Sequence, residues 1–134
     1  MSELPAAESP TPPAPPEYDP RYLAGIVHFN RGEYFDAHEV WEDLWMDCPA
    51  AERRFVQSLI QAAVALYHWE RGNQAGADRL FHSARRYMEP YRPGYLGLDV
   101  AKFWTDMERA FTGTRPAIVL DPSPQKWPDE THHE

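Results

Sequence analysis

The chain has 134 residues, enough for one packed domain and too few for two independent cores. Lys+Arg 13 against Asp+Glu 21 leaves a formal charge of −8, the wrong sign for a surface that neutralises phosphates, so no nucleic-acid partner is expected. No run approaches the ~18 consecutive apolar residues of a membrane-spanning helix, so no membrane partner is expected either.

The 14 prolines divide the chain. Pro5, Pro10, Pro12, Pro13, Pro15, Pro16 and Pro20 crowd the first 20 positions, and Pro116, Pro122, Pro124 and Pro128 follow position 113. This predicts a disordered, Pro-rich leader over 1–18, a helical domain over 19–113 and a Pro-rich, largely extended tail over 114–134. The leader holds Glu3, Glu8 and Glu17 with no basic residue and no apolar stretch, so it does not read as a secretory signal. Cys48 is the single cysteine, which forbids an internal disulfide and fits the expected cytoplasmic localisation.

Within the domain the punctuation is helical. Asp19-Pro20 supplies an N-cap and a proline at the first helical position, and Gly32 closes that helix. A second helix is predicted from Glu33 to Asp47, stopping before Pro49. A third spans Ala50 to Arg71 and is closed by Gly72, and a fourth covers Asn73 to Met88 ahead of Pro90. Pro93 and Gly94 mark a loop, and a fifth helix runs from Leu98 to Phe111 before Gly113. No segment alternates with period two for long enough to build a sheet, and Ala117-Ile118-Val119-Leu120 reads as an extended arm on the helices. The expected fold class is all-α: a five-helix bundle of two αα-hairpins plus a C-terminal helix and an arm.

The hairpins carry a pseudo-repeat of 40 residues. Arg31-Gly32 recurs as Arg71-Gly72, and the same offset relates Ala37 to Ala77, Val40 to Leu80 and Trp41 to Phe81. The third helix then lies at the centre. From Phe55 to Trp69 it has no formal charge, so it should be covered on most sides, with Phe55, Leu59, Ala62, Ala63 and Leu66 as one apolar face. Gln57, Gln61 and His68 fall together on the opposite side. Buried amides and imidazoles need partners, because an unsatisfied one costs ~1–3 kcal/mol.

The second helix supplies candidate partners. Ala37, Val40, Trp41, Leu44 and Cys48 form its core stripe, while Asp36, Glu39, Asp43 and Asp47 form an acidic face. His38 and Glu42, spaced i,i+4, belong to neither group and are expected on a flank walled by Tyr34, Phe35, Trp41 and Trp45. A carboxylate among aromatics suggests partial desolvation and a perturbed pKa. His38-Glu39-Val40-Trp41-Glu42 also invites comparison with the zincin His-Glu-x-x-His, but Glu42 stands where the second histidine belongs. His38, Glu42 and His68 are the candidate ligands if a divalent metal is held, the one cofactor under consideration, with water activation as its chemistry and Glu39 or Glu42 as base. The simpler reading is a hydrogen-bond network that packs two helices together.

Other chemistry finds less support. Ser58 and Ser83 lack a nucleophile-elbow context, no glycine-rich phosphate loop is present, and Cys48 sits where the helix dipole disfavours a thiolate. Arg79, Arg85 and Arg86 make the fourth helix basic, opposite in sign to the second, which leaves a homo-oligomer or an anionic ligand open. His132-His133 carries no functional weight, and the five tryptophans are read mostly as core.

The stretch from Phe29 through Arg31-Gly32 and Ala37-His38-Glu39-Val40-Trp41-Glu42 to Trp45 resembles the domain-of-unknown-function family 309. The run from Phe55 to His68, with Gly72-Asn73 and Gly76-Ala77, fits the same pattern, and the resemblance covers about residues 20–112. It implies a small all-helical protein and no particular activity. The family pattern places its polar residues where His38, Glu42, Gln57, Gln61 and His68 stand. The expected function is therefore a small-ligand or protein-binding module with that cluster between the second and third helices, and the alternative is a metal-dependent hydrolase.

Overall fold

The computed structural model describes residues 18–121. The leader over 1–17, the tail beyond 121, His132-His133 and Trp127 lie outside those residues. The helices are α1 (Pro20–Asn30), α2 (Tyr34–Asp47), α3 (Ala50–Glu70), α4 (Gln74–Met88) and α5 (Val100–Ala110), with a short 3-10 turn at Glu89–Tyr91. The fold is all-α, and no described helix is long and apolar enough to cross a membrane.

The starts and stops follow the local chemistry. Asp19 caps α1 by accepting from the Arg21 backbone N–H at 2.8 Å, and Pro20 occupies the first helical position. Gly32 and Gly72 close α1 and α3 at φ +80° and +83°, a conformation an L side chain adopts only with strain. Asn73 caps α4 through the Gly76 N–H at 2.9 Å, and Asp99 caps α5 through Lys102.

α3 is the centre of the bundle and packs on both α2 and α4. None of the residues from Phe55 to Trp69 is exposed, and Phe55, Leu59, Ala62, Ala63 and Leu66 are all buried. A charge within this run would be wholly or partly cut off from water, which explains the absence of charge there. The first hairpin closes through Gly25, where an added Cβ would collide with the Trp41 indole, whose Nε1 donates to the Tyr22 carbonyl at 3.2 Å.

Two details depart from the periodicity. Gly94–Tyr95 and Leu98–Asp99 pair as a two-residue antiparallel ladder (β1 and β2), turned by Leu96 and Gly97, both at positive φ. The strands are too short to alternate visibly, and the ladder is held from outside: Tyr22 Oη donates to the Leu96 carbonyl and the Asp121 N–H to that of Gly97. The arm does lie on the helices, pinned at Ile118 by a reciprocal pair with the Asn30 amide at 2.9 and 2.7 Å. Ile118 is buried in the core while Val119 faces solvent.

Candidate functional site

α2 meets α3 antiparallel, since the Arg53 guanidinium lies 3.9 Å over the Trp45 ring at one end and Phe35 meets Tyr67 at 5.5 Å at the other. On this seam His38 and Glu42 come together, Nε2 to Oε2 at 3.4 Å. His38 Nδ1 lies 2.9 Å from the Phe35 carbonyl, and its ring packs on Phe35 at 5.0 Å. The His38 side chain is 17% exposed and that of Glu42 is 58% exposed, so the carboxylate is not desolvated. Gln57 and Gln61 are half-buried on α3, and Gln61 Oε1 is shielded from solvent without a hydrogen-bond donor among the described residues.

The expected walls are only partly there. Tyr34 and Trp41 turn toward α1, each packing on Phe29, because they share the buried stripe with Ala37 and Leu44. Phe35 and Trp45 remain on the α3 side, with Trp45 under Arg53. The acidic face of Asp36, Glu39, Asp43 and Asp47 is exposed, although Arg21 reaches across to Asp47 at 3.0 Å.

His68 does not join His38 and Glu42. It stands at the α3–α4 joint, where its Nδ1 lies 3.4 Å from the Asn73 amide nitrogen and its ring lies beside Gly76. The proposed metal triad is therefore not assembled. Among the described residues, the His/Cys/Asp/Glu side chains that gather within 4.8 Å of one another are His28, Glu33 and Asp36, at the α1–α2 joint. There His28 Nδ1 and Glu33 Oε1 already satisfy each other at 2.7 Å. Cys48 is buried, and desolvation holds its thiol above the ordinary range, away from nucleophilic use.

A cavity lies elsewhere. About 620 Å³ opens between the end of α3, one side of α4 and the end of α5. Its floor is aromatic: Trp69 meets Phe111 at 5.2 Å and 87°, and Phe81 meets Phe111 at 5.5 Å and 81°. Ala77 lines it too, and Gln74, Asp78, His82 and Glu108 form a polar rim. Asp78 faces His82 at 3.3 Å, and Glu108 accepts from Arg85 at 2.9 Å. A reading of tryptophans as core hid this site. Trp41 and Trp104 are core, but Trp45 and Trp69 are only half-buried. An aromatic at the very end of the uncharged run on α3 was the available signal.

A smaller cavity of about 420 Å³ lies at the α1 start, where Glu52 sits beside Tyr18, Asp19 and Leu44. Burial first, and the Asp19 charge second, push the Glu52 carboxyl above its usual range.

Residues 22–80 match the family model described as "Domain of unknown function (DUF309)". The uncharacterized protein YpuF of Bacillus subtilis (strain 168) is 35% identical over 98 residues, a stretch covering 70% of this chain and 56% of that relative. The match thus spans little more than half of the relative's length. The crystal structure of the conserved hypothetical protein TTHA0068 from Thermus thermophilus is similar at a TM-score of 0.59 and 26% identity, covering 70% of this chain and 98% of that one. The matched region holds both hairpin joints and the His38–Glu42 flank, and through it the chain belongs to the DUF309 family.

Proposed function

We propose that this protein is a small-ligand binding module, with the ligand seated in the groove between α3, α4 and α5. His38, Glu42, Gln57 and Gln61 then serve as the polar seam that seats α2 on α3. The observation that carries the reading is the 620 Å³ cavity with three aromatic rings as its floor. Small-molecule sites fall in the range of ~300–1,000 Å³, mostly apolar with a few convergent polar groups, and this groove has that make-up. Trp69 and Phe111, half-buried beside the buried Phe81, hold apolar area that a ligand can remove from water at ~25 cal/mol per Å².

The test is an NMR titration with two neutral probes, benzyl alcohol and 3,3-dimethyl-1-butanol. Saturable shifts at the Trp69 indole N–H and the Ala77 amide are expected. If neither probe gives a saturable shift at these positions, the groove is not a ligand site.

A further inference from the structure

We infer that the groove selects an organic cation with a compact alkylammonium head; this rests on the binding role proposed above and adds the chemical class. Two independent features point the same way. The first is the floor. Trp69, Phe111 and Phe81 stand nearly perpendicular in sequence, at 87° and 81°, so the corner offers π faces in more than one direction. A flat ring would need parallel walls to stack on both faces. A rounded ammonium head, by contrast, meets the negative face of one ring while its methyl groups contact the others.

The second feature is the charge of the rim. Asp78 and Glu108 both line the cavity, on α4 and α5, whereas Arg85 holds Glu108 without lining it. Asp78 pairs, among the described residues, with the His82 imidazole. Two carboxylates against one guanidinium outside the wall repel an anion and attract a cation. An inorganic cation is a poor fit, because hard cations want several converging oxygens and the floor here is carbon. Among the described residues, neither Asp78 nor Glu108 belongs to a cluster of three or more His, Cys, Asp or Glu side chains within 4.8 Å of one another.

Choline and 3,3-dimethyl-1-butanol have the same shape and differ in charge, so they separate the class from the site. Titrated against the full chain and followed at the Trp69 indole N–H, choline should bind about tenfold tighter than the alcohol. The exposed rim lets Asp78→Asn and Glu108→Gln be combined without touching the core, and that double variant should bring the two affinities together. Equal binding of both probes to the native chain overturns the cation class while leaving the groove a ligand site. A preference that survives the double variant overturns the role of the carboxylates. Absence of binding by either probe overturns the groove itself.

Discussion

The α1–α2 joint and the α3–α4 joint, 40 residues apart, close with the same backbone bonds and different side chains. The Gly32 N–H reaches Phe29 at 3.0 Å and the Glu33 N–H reaches His28 at 2.9 Å; the Gly72 N–H reaches Trp69 at 3.1 Å and the Asn73 N–H reaches His68 at 2.8 Å. In both joints the histidine side chain turns to the residue five positions on, Glu33 in the first and Asn73 in the second. The first joint finishes with the His28–Glu33 pair and Asp36 nearby; the second finishes with an Asn cap on Gly76. His68 is thus explained by its counterpart His28 as a joint residue. The hairpins also close differently. Gly25 admits Trp41 in the first, while Ala65 and Phe81 occupy the matching positions of the second, both buried. A smaller ring on α4 leaves room for a larger residue on α3. It also leaves Phe81 available to the groove floor.

This comparison can be broken most directly at Gly25. Gly25→Ala should destabilise by about 3 kcal/mol or more in chemical denaturation, because the indole it meets is fully buried and cannot retreat. Ala65→Gly should lose only roughly 1–2 kcal/mol, from helix propensity and one buried methyl. Similar costs for the two would mean that the hairpins close alike.

The next difference is at the ends of α1 and α3. Asn30→Ala removes both bonds to Ile118 and should lose about 2 kcal/mol, with faster hydrogen exchange at the Ile118 amide. Its counterpart Glu70 is exposed, and Glu70→Ala should stay within ~0.5 kcal/mol.

At the joints themselves, Asn73→Ala should lose about 1 kcal/mol as a cap, whereas Glu33, which makes no side-chain cap, should lose only a few tenths of a kcal/mol on mutation to alanine. Equal losses would show that the carboxylate and the amide do the same work.

The smallest effect is at the hairpin starts, where α1 has the Asp19 cap and α3 begins after Pro49 without a side-chain cap. Side-chain hydrogen bonds from Arg21, then its backbone N–H, hold the Asp19 carboxyl below its ordinary range. A lowered folded value means a contribution present above the unfolded pKa and lost as pH falls through the folded one. Asp19→Asn keeps a cap and removes the charge. Its deficit should be about 0.5 kcal/mol or less at pH 7, since the side chain is 36% exposed, and should fade as the pH drops through the lowered folded value.

Most of the fold was legible because its signals are local. Asp19-Pro20, Gly32, Pro49 and Gly72 act through the φ/ψ of their own neighbourhoods, and the charge-free run on α3 reports that none of its sides is freely exposed. The ladder at Gly94–Asp99 was not legible, since its support comes from Tyr22 and Asp121, distant in sequence. Of the candidate site, the His38–Glu42 pair was legible from i,i+4 spacing alone. The inclusion of His68 failed because a helical wheel records angle around the axis and ignores the distance along it.

By itself the sequence determined five helices, their limits and the joint that occurs twice, because caps, glycines and hydrophobic period act within a turn or two. Tertiary structure alone decided which rings would meet. Trp69 and Phe81 lie on α3 and α4 and Phe111 directly follows α5, and each reads separately as core. Periodicity tells a side chain which way to face and not how fully its neighbours will cover it. The uncovered remainder at that junction is the groove.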